Sequence, residues 1–240
     1  MTTPLRKREA IASMPNVPIV QNILAANERI ARDIHRQLAE RQIRTLNLMS
    51  SAGAGKTTLL EQTIRRLRSR LAIGVIEGDV ETSADAERIK ETGAQAVQII
   101  TQGICHLEAH MIQLALQELD LNTLDLLVIE NVGNLVCPAD WNLGEDLKVT
   151  VVSTTEGDDK PAKYPAMFAS SQVMVINKID LLPYVDYDME TVKRFALAVN
   201  PRLQIFELSC RTGEGLDAWC DWLETIGSEP KRGQAPHVHT

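Results

Sequence analysis

A glycine-rich loop between a short apolar stretch and a helical pattern constrains this chain more than any other feature. Residues 50–58 read SSAGAGKTT, with apolar residues 46–49 before them and the helical pattern of residues 59–71 after them. Strand, glycine-rich loop and helix in this order are the context of a phosphate-binding loop, whose backbone N–H groups surround a polyphosphate. Lys56 would neutralise the β- and γ-phosphates, and the Thr57 hydroxyl would bind Mg²⁺. The loop therefore predicts a nucleotide as ligand and Mg²⁺ as cofactor.

The first position of the loop departs from the consensus, because Ser50 stands where the consensus has glycine. Serine is small, and it fits there if the backbone φ angle is negative. The alternative interpretation of the whole run is a glycine-rich turn that binds nothing. The residues predicted to contact the phosphates are Ala52, Gly53, Ala54, Gly55, Lys56, Thr57 and Thr58.

Charge and composition argue against several classes of partner. The chain has 240 residues and a formal net charge of −7, so it lacks the basic footprint of a nucleic-acid-binding protein. Aromatic residues make up only 4% of it, which also argues against base stacking. No run of about 18 apolar residues is present, and the N-terminus has no apolar signal core. We therefore expect a cytoplasmic protein without nucleic acid or membrane as partner, whose four cysteines are reduced and available to a metal.

Strand and helix patterns alternate along the chain. Residues 1–44 are predicted as an arm and an amphipathic helix (21–41), residues 45–227 as one domain, and residues 228–240 as a disordered tail. The predicted strands are 46–49, 72–77, 96–100, 124–130, 149–153, 173–177 and 205–208. Of the remaining helices, one begins at a Ser83 cap and the others span 106–118, 187–199 and 216–226. This alternation predicts an α/β fold with a mostly parallel sheet flanked by helices, and ligands beyond the carboxyl ends of its strands.

A second loop favours guanine over adenine. Asn177, Lys178 and Asp180 follow the apolar strand pattern that starts at residue 173. A carboxylate at Asp180 can accept two hydrogen bonds from the N1–H and the exocyclic amino group of guanine, whereas adenine has no such donor pair. Asn177 can bond the base edge, and the Lys178 stem can lie along the ring. Taken alone, this loop is equally explained as a polar turn after a strand.

Together with the upstream phosphate loop, these residues resemble the P-loop GTPases, and the resemblance covers about residues 45–226. Ser209, Cys210 and Arg211 resemble the second base-contacting loop of those proteins, in which a backbone N–H meets the guanine oxygen. The resemblance implies GTP as the substrate and residues 45–227 as a GTPase (G) domain.

Two cysteines and a histidine form the next pattern. Cys105 and His106 are predicted at the start of the helix 106–118, and Cys137 lies beyond the strand 124–130. Thiolates and imidazole suit Ni²⁺ or Zn²⁺ and do not suit Mg²⁺. Spacing alone leaves the alternative that these cysteines are structural, because buried free cysteines are common. Cys210 and Cys220 have no such neighbours in sequence, and we interpret them as structural.

The run ENVGNLVCP at residues 130–138, with Cys105-His106 and the phosphate loop, resembles the HypB family of hydrogenase nickel-incorporation GTPases. The runs EGDV at 77–80 and ADAERI at 84–89 are also similar to that family. The resemblance implies a SIMIBI-type GTPase that forms a GTP-dependent homodimer, with its metal site where two subunits meet. The implied Ni²⁺ or Zn²⁺ ligands are Cys105, His106 and Cys137. The implied Mg²⁺ shell is Thr57, Asp79 and Glu130, and the implied catalytic set is Lys56, Thr57, Asp79, Glu130 and Gly133.

The resemblance implies that the chain is a GTP-hydrolysing metallochaperone, which delivers nickel during [NiFe]-hydrogenase maturation. In this interpretation Gly133 bonds the γ-phosphate through its N–H and moves when that phosphate leaves. The implied partners are a small nickel chaperone of the same pathway and the [NiFe]-hydrogenase large-subunit precursor. Residues 1–44 contain no cysteine and only one histidine, His35, so we do not expect nickel storage there.

Two alternatives remain open at this point. A urease-type nickel-insertion GTPase has a similar plan but uses a Cys-Pro-His motif, and this chain has Cys137, Pro138 and Ala139. A metal-binding module could instead keep a nucleotide without significant turnover. The intact Lys56, Thr57 and Asp180 argue against that alternative.

Overall fold

A parallel sheet is the frame of the computed structural model, which describes residues 19–80 and 84–228. Its seven strands are β1 (Arg44–Ser50), β2 (Ile73–Asp79), β3 (Gln95–Ile100), β4 (Leu126–Glu130), β5 (Leu147–Ser153), β6 (Val173–Asn177) and β7 (Gln204–Glu207). They pair in parallel in the order β3-β2-β4-β1-β5-β6-β7. Because all the strands point the same way, every loop that follows a strand leaves from one edge of the sheet.

Eight α-helices accompany the sheet in the described part of the chain. They are α1 (Ile19–Glu40), α2 (Lys56–Leu67), α3 (Ala84–Glu91), α4 (Ala109–Ala115), α5 (Lys160–Lys163), α6 (Pro165–Ser170), α7 (Met189–Val199) and α8 (Leu216–Ser228). None of the helices in these residues is long and apolar enough to cross a bilayer.

Alternate residues of each strand pack on opposite faces of the sheet. On β4, Leu126 and Val128 belong to the apolar cluster that contains residues of α2 and α8. Leu127 and Ile129 belong to the cluster that contains residues of α1 and α4. Since helices cover both faces, all five positions of β4 are buried, which explains why the sequence reads as a continuous apolar run rather than an alternating one.

The predicted fold class, an α/β fold with a mostly parallel sheet flanked by helices, is confirmed. All seven predicted strands are present, and each end lies within two residues of its predicted position. The helices predicted at 21–41, 187–199 and 216–226 correspond to α1, α7 and α8. The predicted N-terminal arm up to residue 18, the Ser83 cap and residues 229–240 of the predicted tail lie outside the described residues.

Two helix predictions were wrong in detail, and two short helices were missed. The helix predicted from residue 106 begins only at Ala109, because Glu108 is extended (φ −119°, ψ 154°), so Cys105 and His106 lie in a loop and not in the first turn. Helix α2 begins at Lys56, inside the glycine-rich loop, and ends at Leu67 rather than at residue 71. The short helices α5 and α6 were not predicted.

Candidate functional site

The glycine-rich loop connects β1 to α2, and its glycines make that sharp connection possible. Gly53 (φ 78°) and Gly55 (φ 98°) both have left-handed backbone conformations, which side chains disfavour. A Cβ atom at Gly55 would also lie 2.5 Å from Asn177 Nδ2. Helix α2 therefore starts immediately after a residue that only glycine suits, and its first N–H groups point towards the space beyond β1.

Ser50 fits in place of the first consensus glycine. It is the last residue of β1 and is not among the non-glycine residues with positive φ, so the expected negative φ is confirmed. Its Oγ atom accepts a hydrogen bond from Lys56 Nζ at 2.9 Å. The serine hydroxyl is therefore a fixed contact of the lysine that is predicted to bind the phosphates.

Glu130 lies at the centre of the predicted phosphate and Mg²⁺ residues. Its Oε1 atom accepts a hydrogen bond from Thr57 Oγ1 at 2.9 Å and lies 3.8 Å from Lys56 Nζ. Its other carboxylate oxygen is buried and has no hydrogen-bond partner. Burial is the main cause that raises the pKa of this carboxyl above its usual value. A buried carboxylate oxygen without a partner, beside a threonine hydroxyl, is a suitable ligand pair for a hard cation such as Mg²⁺.

Glu77 is a second buried carboxyl that the sequence analysis missed. It lies opposite Glu130 on the neighbouring strand β2, only 2% exposed, and its Oε1 atom also has no partner. Burial, and then the charge of Glu130, raise its pKa. Its position two residues before Asp79 at the end of a predicted strand was the available signal.

One cavity of about 420 Å³ brings the predicted phosphate and Mg²⁺ residues together. Its lining includes residues of the glycine-rich loop, the end of β2, the segment after β4, and Lys178. Two residues of α3 that were not predicted, Asp85 and Arg88, also line it; Arg88 donates to Asp85 and Glu61. The lining residues from the predicted set are Ala52, Gly53, Gly55, Lys56, Thr57, Thr58, Asp79, Glu130, Gly133 and Lys178.

The predicted base-contacting residues lie beside the glycine-rich loop. Asn177 Nδ2 donates to the Ala54 carbonyl oxygen at 2.9 Å, and Lys178 Nζ donates to the Gly53 carbonyl oxygen at 2.7 Å. Asn177 Oδ1 also accepts from the backbone N–H of Cys210 at 3.2 Å. The two loops that are 33 residues apart in sequence are thereby joined through one buried amide.

Asp180 is oriented by the second of these loops. The Ser209 hydroxyl donates to Asp180 Oδ1 at 2.6 Å, and the same hydroxyl oxygen accepts from the backbone N–H of Arg211 at 3.2 Å. The structure thus bonds Asp180 to Ser209 and Asn177 to the neighbouring Cys210, so both predicted base-contacting loops are held together.

The two cysteines and the histidine form one cluster. Cys105 Sγ lies 2.9 Å from Cys137 Sγ and 3.8 Å from His106 Nδ1, and the three ligand atoms all lie within 4.8 Å of one another. The hydrogen bond from Cys105, followed by burial, raises the pKa of Cys137. Burial lowers the pKa of His106, which favours the neutral imidazole that metals bind. Soft thiolates and a neutral imidazole at these separations fit Ni²⁺ or Zn²⁺.

Neighbouring side chains support the imidazole of His106. Trp141 stacks on it with ring centroids 4.4 Å apart. The Nε2 atom of His106 lies 3.7 Å from Glu108 Oε1, and the other carboxylate oxygen of Glu108 lies 3.2 Å from His110 Nδ1. His106 therefore presents Nδ1 to the Cys105 sulfur and is supported by the stacked Trp141 ring, whereas its buried Nε2 atom makes no hydrogen bond within the described residues.

Comparisons with known proteins show the family of this chain. The family model described as "CobW/HypB/UreG, nucleotide-binding domain" matches residues 44–207. The hydrogenase maturation factor HypB of Rhizobium leguminosarum bv. viciae is 50% identical over 208 residues, which cover 87% of this chain and 70% of that protein. This chain belongs to the HypB family. The resemblance inferred from the motifs is therefore confirmed.

Solved structures of HypB proteins have the same fold. HypB from Archaeoglobus fulgidus is 43% identical with a TM-score of 0.80, and the match covers 85% of this chain and all of that one (100%). HypB from Helicobacter pylori in complex with nickel is 35% identical with a TM-score of 0.83, covering 88% and 100%. The signal recognition particle receptor FtsY from Elizabethkingia anophelis (12% identity, TM-score 0.53, 89% and 82%) shares the fold alone. The predicted SIMIBI-type P-loop architecture is thereby confirmed.

Proposed function

We propose that this chain is a GTP-hydrolysing metallochaperone that delivers nickel during [NiFe]-hydrogenase maturation, with a nucleotide-regulated metal site at a homodimer interface. One observation carries the proposal: a cavity of about 320 Å³ is lined by Ser51 of the glycine-rich loop, by Gly133 and by Cys105. A change at the phosphates therefore needs to travel only across one cavity to reach a metal ligand.

The nucleotide half of the proposal rests on charge and geometry. Lys56 has Ser50 as one contact, which leaves its other ammonium protons for the β- and γ-phosphates. Thr57, Asp79 and Glu130 would hold Mg²⁺, which supplies neutralisation of the charge that develops on the leaving phosphate. We propose that Gly133 meets the γ-phosphate through its N–H and that Asp180 selects guanine.

The metal half of the proposal treats Ni²⁺ as cargo rather than as a resident cofactor. Cys105, His106 and Cys137 provide three ligand atoms per chain, and a second copy could complete the coordination. The partly exposed position of both cysteines is compatible with such an interface. The relative from Helicobacter pylori is described in complex with nickel. Zn²⁺ suits the same ligands, and cells select between such metals by availability.

The remaining parts of the proposal follow from the family. The G domain of residues 45–227 would act in the cytoplasm, preceded by the N-terminal arm and helix of residues 1–44. Its partners would be a small nickel chaperone and the hydrogenase large-subunit precursor. The relatives named as hydrogenase maturation factors support this assignment.

Two measurements test the proposal. Phosphate release from GTP by the parent protein and by Lys56→Ala separates a GTPase from a module that only keeps its nucleotide. Nickel content and mass in solution, with GDP and with a non-hydrolysable GTP analogue, test the regulated dimer site, and Cys137→Ala is the control. We expect a GTP-dependent dimer that loses nickel in Cys137→Ala. Phosphate release no faster than in Lys56→Ala, or nickel content and mass independent of the nucleotide, would contradict the proposal.

A further inference from the structure

Two asparagines hydrogen-bond the loop that contains Cys105 and His106, and both asparagines belong to the segment that follows β4. We call residues 105–108 the metal loop and residues 130–137 the switch segment. The Leu107 backbone N–H donates to Asn131 Oδ1 at 3.2 Å, and Asn134 Nδ2 donates to the Cys105 carbonyl oxygen at 3.3 Å. Gly133 lies between the two asparagines. The metal loop is therefore hydrogen-bonded to one residue before Gly133 and to one residue after it, and Gly133 is the residue proposed to sense the γ-phosphate.

Asn131 is fixed to the sheet. It is fully buried (0% exposed), its Nδ2 atom donates to Asn47 Oδ1 at 3.2 Å, and its backbone N–H donates to the Leu48 carbonyl oxygen at 2.9 Å. Both acceptors belong to β1, in the middle of the sheet. The contact from Asn131 to Leu107 therefore has a rigid base, and it anchors the metal loop next to His106.

Asn134 lies on the other side of Gly133 and has no such base. Its side chain is half-buried, and its Oδ1 atom accepts from the backbone N–H of Val136 at 2.8 Å, within the switch segment itself. The Gly133 backbone lies against the glycine-rich loop, because a Cβ atom there would be 2.9 Å from Ala52 Cα. A displacement of Gly133 away from the phosphates would therefore carry Asn134 with it.

We propose that Asn134 transmits the nucleotide state to the metal ligands, while Asn131 is the fixed anchor of the same loop. This inference rests on the proposed function. When Gly133 moves, Asn134 pulls on the Cys105 carbonyl, whereas Leu107 and the adjoining His106 stay with the sheet. The thiolate and the imidazole then change their relative positions, and the affinity for the metal changes with them. Both asparagines are positioning residues, because each holds a main-chain group of the metal loop and neither is a proposed metal ligand. Asn131 also lines the cavity of the predicted phosphate residues, and the Asn134 amide also faces the Cys137 thiol.

The test is the nickel dissociation constant of the full chain with GDP and with a non-hydrolysable GTP analogue, measured by competition with a chromophoric chelator. Coupled sites typically change each other's affinity at least about fivefold, so we expect a ratio of that size in the parent protein. Asn134→Ala and Asn134→Asp should reduce the ratio to about one while nickel still binds. The aspartate variant keeps an acceptor for Val136 and removes the amide donor to Cys105. It also adds a negative charge beside the Cys137 thiol, so the test compares the ratio between the two nucleotide states and not the absolute nickel affinity.

Asn27→Ala is the matched control. Asn27 is also buried, and its Oδ1 atom accepts from the backbone N–H of Ala109 at 2.7 Å, so it holds the end of the metal loop from α1. Among the described residues, its side chain hydrogen-bonds Asn142 and Ala109 and makes no hydrogen bond to the switch segment. This variant should therefore keep the parent ratio. Asn131→Ala should weaken nickel binding by a similar factor with either nucleotide, because it releases the anchor.

The effect of bound Ni²⁺ on the affinity for the GTP analogue is a second measurement, and a variant that only destabilised the metal loop would not abolish it. By thermodynamic linkage, Ni²⁺ must change the affinity for the GTP analogue by the same factor in the parent, and this effect should vanish in both Asn134 variants. If the parent itself gives a ratio of one, the proposed nucleotide regulation fails and this inference fails with it. If the parent shows a ratio that the Asn134 variants retain, or that Asn27→Ala also loses, only the inference about Asn134 is overturned.

Discussion

Gly78 leaves the space through which the metal loop reaches the switch segment. The loop follows β3 and the segment follows β4, but β2 lies between those strands, so their ends are about 10 Å apart. The metal loop must therefore pass over the end of β2. A Cβ atom at Gly78 would lie 2.7–2.9 Å from three carbon atoms of the Leu107 side chain, which is completely buried. Glycine at this position is what allows Cys105 to approach Cys137.

Gly78→Ala should therefore weaken nickel binding without touching a ligand. The backbone of Gly78 is not in the left-handed region, so alanine adds a steric clash and no backbone strain. Leu107 has to move by about 1 Å to reach ordinary contact, and the neighbouring His106 moves with it. Displacing the support of a metal ligand typically costs about 10- to 100-fold in affinity, and we expect a loss in this range.

Gly74→Ala is the control, because Gly74 lies on the same strand and the same face but at the opposite end of β2. Its added Cβ would lie 2.6 Å from Leu124 Cδ1, so the packing conflict is similar. Both variants should lower the free energy of unfolding by about 1–3 kcal/mol in urea titrations. Only Gly78→Ala should also lower the nickel affinity in equilibrium dialysis. Equal nickel affinities in the two variants would refute the reasoning.

Three further predictions concern the nucleotide site. Gly55→Ala should cost about 2–5 kcal/mol of unfolding free energy in urea, because it adds backbone strain and displaces the hydrogen-bonded Asn177 amide. The control Gly93→Ala, with φ +90° and nothing within 4 Å of its added Cβ, should cost only about 1–2 kcal/mol. Equal costs in the two variants would argue against the close approach of Gly55 to Asn177. Lys56→Ala should slow phosphate release from GTP by about 100-fold or more; a rate near that of the parent would remove this lysine from the mechanism. Asp180→Asn should reduce the preference for GTP over ATP by roughly 10- to 100-fold in competition binding, and an unchanged preference would show that other groups select the base.

Most of the fold could be predicted from the sequence because its strands are buried on both faces. Continuous apolar runs such as residues 173–176 mark such strands clearly, and polar residues begin where the strands end. The start of α4 was not predictable in the same way. Periodicity placed it near residue 106, whereas the backbone of Leu107 and Ala109 is held by asparagines 24 and 82 residues away. Hydrogen bonds from distant residues leave no local pattern.

The predicted site residues have a local sequence pattern, whereas the missed ones depend on contacts between residues that are distant in sequence. Lys56 and Asp180 lie in runs whose chemistry is readable from neighbours in sequence. Glu77 ends a predicted strand, but its role depends on strand order, because β2 pairs with β4 and brings Glu77 opposite Glu130. A parallel sheet has many possible strand orders, and the sequence does not state which strands are neighbours. The order β3-β2-β4 also places the metal loop after one neighbour of β2 and the switch segment after the other. The proposed link between nucleotide and metal therefore depends on strand order, which no single motif contains.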